Sequence, residues 1–170
     1  MNIKYIEGDL FKFETKKKYD LVFSSGVVEH FSKNLREMAI DKHFYASKDK
    51  VIFLVPAKPH YNSLRHRKRR TIESFGWQEA FSRNEMNNYC RKHTNFSIIV
   101  SKRFYPLYGI TLFELLSIDS KNRIVHIYNT IIKYIDKVLI KLKLYTFLNF
   151  LLTPFENMFG GVLIIIAQRK

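Results

Sequence analysis

Residues 19–31, YDLVFSSGVVEHF, constrain the fold more than any other part of this chain. Leu21, Val22 and Phe23 are consecutive apolar residues without alternation, the pattern of a parallel strand covered on both faces. Ser24, Ser25 and Gly26 break the run, and a helical pattern starts within residues 27–31. In open α/β sheets, ligands collect outside the carboxyl ends of strands, where helices begin. The chain's chemistry is therefore expected at the turn after Phe23.

The remaining pattern supports an α/β reading. Residues 3–6 read as a short strand, closed by Glu7-Gly8-Asp9, and residues 11–18 as a lysine-rich connector. A helix is expected over 33–46, with Asn34, Leu35, Met38, Ala39 and Lys42 on its inner face. VIFLV at 51–55 is a second unbroken apolar run, ended by Pro56 and Pro59. A basic connector covers 58–76, a helix 77–92 and a strand 96–100. From Thr111 to Phe159 the spacing is strongly helical: Ile124, Ile127, Tyr128, Ile131, Ile135, Val138, Leu139 and Leu142 share one face, opposite Lys133, Lys137 and Lys141. VLIIIA at 162–167 is a closing buried strand. Strands alternating with helices predict a mostly parallel sheet.

At 170 residues, 46% of them apolar, the chain is long and apolar enough for one domain with a real core. Cys90 is the only cysteine, which excludes a disulfide framework and a sulfur metal site and suits a reducing cytoplasm. The first ten residues lack the apolar core of a signal peptide, and no stretch approaches the roughly 18 uninterrupted apolar residues of a spanning helix. A formal charge of +14 favours anionic partners: nucleic acid, acidic lipid or phosphorylated substrates. A surface that is basic everywhere for no specific purpose explains the same number.

Three motifs in order resemble the class I, Rossmann-like, S-adenosylmethionine-dependent methyltransferases of the small-molecule type. Glu7-Gly8-Asp9 is similar to the family's acidic turn, YDLVFSSGVVEHF to its fourth strand and following helix, and VIFLVPAKP to its fifth strand. VLIIIAQRK resembles the antiparallel seventh strand. The resemblance implies an incomplete Rossmann-like sheet flanked by helices, with an antiparallel last strand and a helical insertion or lid over 107–159. It implies S-adenosylmethionine as cofactor, with Asp9 and Leu10 at the adenine and Ser24, Ser25 and Gly26 at the methionine end. Asp9 equally suits an Asx turn, and Ser24 and Ser25 helix capping.

His30 and His60 are the candidate bases, and Tyr61 and Asn62 the candidate substrate contacts. Glu29 and His30 point about 100° apart on a helix and so do not form one site. Arg65, Arg67, Lys68, Arg69 and Arg70 could neutralise phosphates, although no aromatic ladder accompanies them.

The chain departs from the family in one respect: none of its six glycines lies in a G-x-G-x-x-G pattern. The resemblance then starts at the family's third strand, implying either a preceding half outside the given sequence or a naturally short domain. The strand at 19–25 should form an open edge, and the strand at 3–6 should be poorly anchored. Besides methyl transfer to a small molecule, two readings stay open. One is an inactive binding or assembly module that pairs through the open strand edge or through residues 124–152. The other is an RNA methyltransferase. The apolar and lysine faces of 124–152 also suit contact with an anionic membrane.

Overall fold

The computed structural model describes residues 5–60, 72–74, 76–107, 110–118 and 120–170. Four strands, β1 (Tyr19–Ser25), β2 (Ser47–Pro56), β3 (Phe96–Phe104) and β4 (Val162–Arg169), form one sheet in the order β1-β2-β4-β3. β1 and β2 are parallel, with Val22 opposite Val51 and Phe23 opposite Ile52. β4 runs antiparallel to both β2 and β3, so three strands point one way and only the last opposes them. The 14-residue helix α1 (Lys33–Ala46) makes the crossover that a parallel pair requires.

One face of the sheet carries the core. Val51, Phe53 and Val55 alternate along β2, and Leu163, Ile165 and Ala167 along β4, all buried. Against them pack Ala39, Ile40 and Phe44 of α1, and Met86 and Cys90 of α2 (Arg83–Arg91). Burial raises the Cys90 thiol to about 12, so it behaves as an inert apolar group.

Several sequence expectations are corrected. β1 forms the open edge expected of it, but it is not covered on both faces: Leu21 and Phe23 are 52% and 55% exposed. The inner face of α1 is turned from the one expected. It carries Arg36, Ala39, Ile40, His43 and Phe44, whereas Leu35 and Met38 are exposed. The rotation follows from burying Arg36, whose partners lie on that side. Tyr5 and Ile6 are exposed and form no strand, as poor anchoring implied; residues 3 and 4 lie outside the described residues.

The helix expected over 77–92 begins only at Arg83. A capping box fixes that start: the Ser82 hydroxyl accepts from the Glu85 amide at 3.1 Å, and the Glu85 carboxylate accepts from the Ser82 amide at 3.4 Å. The chain before it is extended, with Phe81 bridged to Ala57.

Between β3 and β4 stand α3 (Leu112–Leu116), α4 (Arg123–Lys141), α5 (Leu144–Leu152) and α6 (Glu156–Phe159). They are held mainly by polar groups on their inner side. Buried Asp136 accepts from the Leu112 amide at 3.1 Å and from the Tyr145 hydroxyl, and Asn149 accepts from the Leu107 amide at 2.9 Å. At the base of this insertion, Arg103 donates to the Gly160 carbonyl at 2.8 Å and to the Pro59 carbonyl at 2.7 Å. Of the shared apolar face of α4, Ile124, Ile127, Tyr128, Ile131, Ile135, Val138 and Leu142 are exposed.

Candidate functional site at the end of the first strand

β1 ends at Ser25, and the chain reverses through Gly26 with φ of +69°, a conformation that favours glycine. The Gly26 amide donates to the Leu54 carbonyl of β2 at 3.4 Å, which holds the turn against the sheet edge. A single 3₁₀ turn, Val28–His30, follows. Three contacts then fasten this segment to residues 77–79 and to the N-terminal turn. His30 Nδ1 donates to the Trp77 carbonyl at 3.0 Å, the Glu79 amide donates to the Glu29 carbonyl at 3.0 Å, and Phe11 meets Phe31 edge to face at 4.9 Å.

Behind the segment lies Arg36, only 1% exposed. Its guanidinium donates to the Phe31 and Glu79 carbonyls, each at 2.9 Å, and pairs with the Glu79 and Glu85 carboxylates at 3.3 Å. It also stacks on Phe81 at 4.4 Å. The planar fork of an arginine meets several acceptors at once, so this one side chain sets the path of both loops.

Two polar groups are left over. The Ser24 hydroxyl and Glu29 Oε2 are buried and have no hydrogen-bond partner among the described residues. Burial pushes the Glu29 carboxyl above the usual carboxylate range, against smaller opposing effects from its own backbone amide, His30 and Arg36. Glu29 Oε1 lies 3.8 Å from where a Cβ on Gly26 would sit, so the carboxylate flanks the turn. Buried polar groups in native proteins are nearly always paired, which makes two orphans at one strand end a mark of a ligand position.

The sequence-predicted residues divide accordingly. Ser24, Ser25 and Gly26 stand together at this edge. Asp9 forms the Asx turn, accepting from the Phe11 amide at 2.9 Å, and Leu10 is partly buried against the core beside Phe11. The Phe11–Phe31 contact brings that turn alongside the segment after β1. His30 is placed beside the turn, with its Nδ1 proton committed to Trp77.

His60 is half-buried; its Nε2 donates to the Pro106 carbonyl at 2.7 Å, and burial lowers its pKa. This contact ties the loop after β2 to the foot of the insertion. Tyr61, Asn62 and the basic cluster at 65–70 lie outside the described residues. Glu29, set aside earlier because it cannot share a site with His30, is the functional candidate that sequence reasoning missed. A carboxylate inside an otherwise apolar VVEHF segment was the available signal.

Two open hollows, of about 680 and 550 Å³, lie elsewhere. One is lined by residues such as Glu14, Met38 and Tyr45, the other by Lys18, His93, Asn95 and Arg169. Their lining includes the end of α1, the approach to β1, the start of β3 and the end of β4. They therefore sit at the opposite sheet edge from the orphaned pair, and volume alone does not identify the site.

The strand order and the reversed last strand are those of part of a mixed, Rossmann-like α/β sheet, with a polar turn after β1. Among solved structures, an S-adenosylmethionine-dependent methyltransferase from Archaeoglobus fulgidus superposes with a TM-score of 0.51 at 16% identity, covering 96% of this chain and 66% of its own. Magnesium protoporphyrin IX methyltransferase from Synechocystis PCC 6803, with S-adenosylhomocysteine bound, gives 0.49 at 12% identity, covering 96% and 49%. The chain thus spans about half to two thirds of the length of these neighbours. No protein-family model and no curated protein matches it.

Proposed function

We propose that this chain carries the methionine side of an S-adenosylmethionine pocket and serves methyl transfer to a small molecule. The observation that carries the reading is the pair of unpartnered buried groups, Ser24 Oγ and Glu29 Oε2, at the carboxyl end of β1. The sequence resemblance and the fold neighbours supply the class of chemistry. The residues fit such a cofactor: a cationic ligand would pair with the unpartnered oxygen of a buried carboxylate, and the hydroxyl can donate or accept.

The cofactor would supply a methyl group already activated on a sulfonium. This chain's residues then have to position rather than activate. The Glu29 carboxylate, which flanks the turn at Gly26, offers charge to a bound cation. His30, with Nδ1–H directed at Trp77, keeps Nε2 as its basic nitrogen and can take a proton from an acceptor at the turn. His60 helps fix the loop that leads to Tyr61 and Asn62, the proposed acceptor contacts.

Titration calorimetry with S-adenosylhomocysteine tests the proposal. Micromolar binding is expected; where the pH leaves folded Glu29 partly protonated, proton release is visible as heat that varies with the buffer, because the ligand's ammonium group favours ionised Glu29. Replacing Glu29 by Gln should weaken binding and abolish the buffer dependence. A folded wild-type chain that gives no heat with this ligand would overturn the reading.

One observation favours a second reading, an assembly module: Leu21 and Phe23 are exposed on the open edge of β1. In that case the chain binds no cofactor and self-associates, and Leu21→Lys restores a monomer by sedimentation.

A further inference from the structure

The insertion turns the wrong side outward for a soluble helix pair. α4 meets the rest of the molecule through a narrow stripe in which Ile132 and Asp136 are the buried residues. At about 100° per residue, Tyr134, Ile127, Val138, Ile131, Ile124, Leu142, Ile135 and Tyr128 fill an adjoining sector of roughly 120°, and all of them are exposed. The remaining sector holds Arg123, Lys133, Lys137 and Lys141. α5, α6 and the turn between them add the exposed side chains of Phe147, Phe150, Leu151, Phe155, Met158 and Phe159, of which Phe150 is 73% exposed. So many exposed apolar side chains on consecutive helices are far beyond the scattered ones normal on a monomer surface.

From this arrangement we infer that the insertion docks the chain on the surface of an anionic lipid bilayer, with α4 lying in the interface plane. Charge complementarity selects the occupant. The apolar sector is flanked along its length by a basic row, and from Arg123 to Phe159 the acidic residues are Asp136, which is buried, and Glu156. An interfacial helix has this composition: its apolar face enters the acyl boundary while lysines reach the phosphates.

Spanning is the lesser use of the same residues. Among the described residues no single helix is long and apolar enough to cross, and α4 joined to α5–α6 passes by length and composition only as a pair bent by 67°. Lys133 and Lys137 sit in the middle of α4, where a crossing helix would carry them into the hydrocarbon, whereas an in-plane helix leaves them at the headgroups. The foot of the insertion is joined to the loop after β2 through His60–Pro106 and Arg103–Pro59. The inference stands independently of the methyl-transfer reading.

Vesicle flotation of the whole chain tests it, with vesicles of pure phosphatidylcholine and of equal parts phosphatidylcholine and phosphatidylglycerol. Binding is expected to the anionic vesicles alone and to weaken as salt rises. Ile131→Glu combined with Val138→Glu should reduce it about tenfold or more. Neutralising Lys133, Lys137 and Lys141 to Gln should reduce it by about fivefold per lysine. Both sets change exposed positions, and an unchanged thermal transition verifies that the variants are folded. Failure to float with anionic vesicles, equal binding to neutral ones, or binding that ignores the substitutions would overturn the inference. So would a stable dimer that the glutamates dissociate in the absence of any vesicle binding, since the patch would then belong to a second copy.

Discussion

Arg36 is the side chain on which the geometry of the candidate site most depends, and its replacement by Met gives a worked test. Met keeps the apolar stem and the contact with Phe81 but removes the guanidinium. The Phe31 and Glu79 carbonyls each lose a donor held at 2.9 Å. An unmet, partly buried carbonyl costs about 1–3 kcal/mol, so the two together give roughly 3 kcal/mol. The ion pairs add little, because the Glu79 side chain is 49% exposed and both carboxylates also pair with Lys58, at 3.6 and 3.0 Å.

A loss of about 3 kcal/mol corresponds to roughly 6–12 °C in Tm for a chain of this size. Urea titration and thermal melting measure it directly. Arg36→Lys should lose nearly as much, since a point charge cannot meet both carbonyls. A Met variant within about 1 kcal/mol of wild type, or full rescue by Lys, would refute the argument that the fork itself sets the loops.

Two further outcomes are expected. The folded-state pKa of Glu29 is raised above the ordinary 4.5, so the folded chain holds more protons than the unfolded one between those values, and stability falls as pH rises through that window. Glu29→Gln should raise Tm at neutral pH and remove that fall; melts across the acid range that superpose on wild type would contradict it. At Gly160, a Cβ would come within 2.4 Å of the Phe104 amide nitrogen and 2.6 Å of its carbonyl oxygen. Gly160→Ala should therefore cost about 1–3 kcal/mol in urea titration, and a neutral substitution would contradict the close approach.

The parts of the fold legible in the sequence are those where one strong local signal acts alone. The unbroken runs at Leu21–Phe23 and Val51–Val55, together with the helix between them, specified a parallel pair, and Val22 and Phe23 do face Val51 and Ile52 in that register. The α1 face was misjudged because hydropathy counts an arginine as outward. Arg36 is instead drawn inward by the carbonyls of Phe31 and of Glu79, the latter distant in sequence. Apolar periodicity in α4 says that a stripe is shared, not what it faces; the inward stripe was chosen by Asp136, Tyr145 and Asn149 through backbone hydrogen bonds.

At the site, the serines and glycine were readable from the strand's abrupt end. Glu29 was not, because its significance lies in being buried and unpaired, which depends on the three-dimensional closure of residues 77–79 over it. His60 looked like a free loop base in the sequence and is held to Pro106 in the fold.

The most direct test of the pocket is the amide NMR spectrum of the isotope-labelled chain, recorded as S-adenosylmethionine is added. Shifts should concentrate at residues 24–31 and around the Asp9 turn. Perturbations confined to the opposite edge, near Lys18, His93 and Asn95, would contradict the assignment of the cofactor to the end of β1, as would a spectrum that does not change.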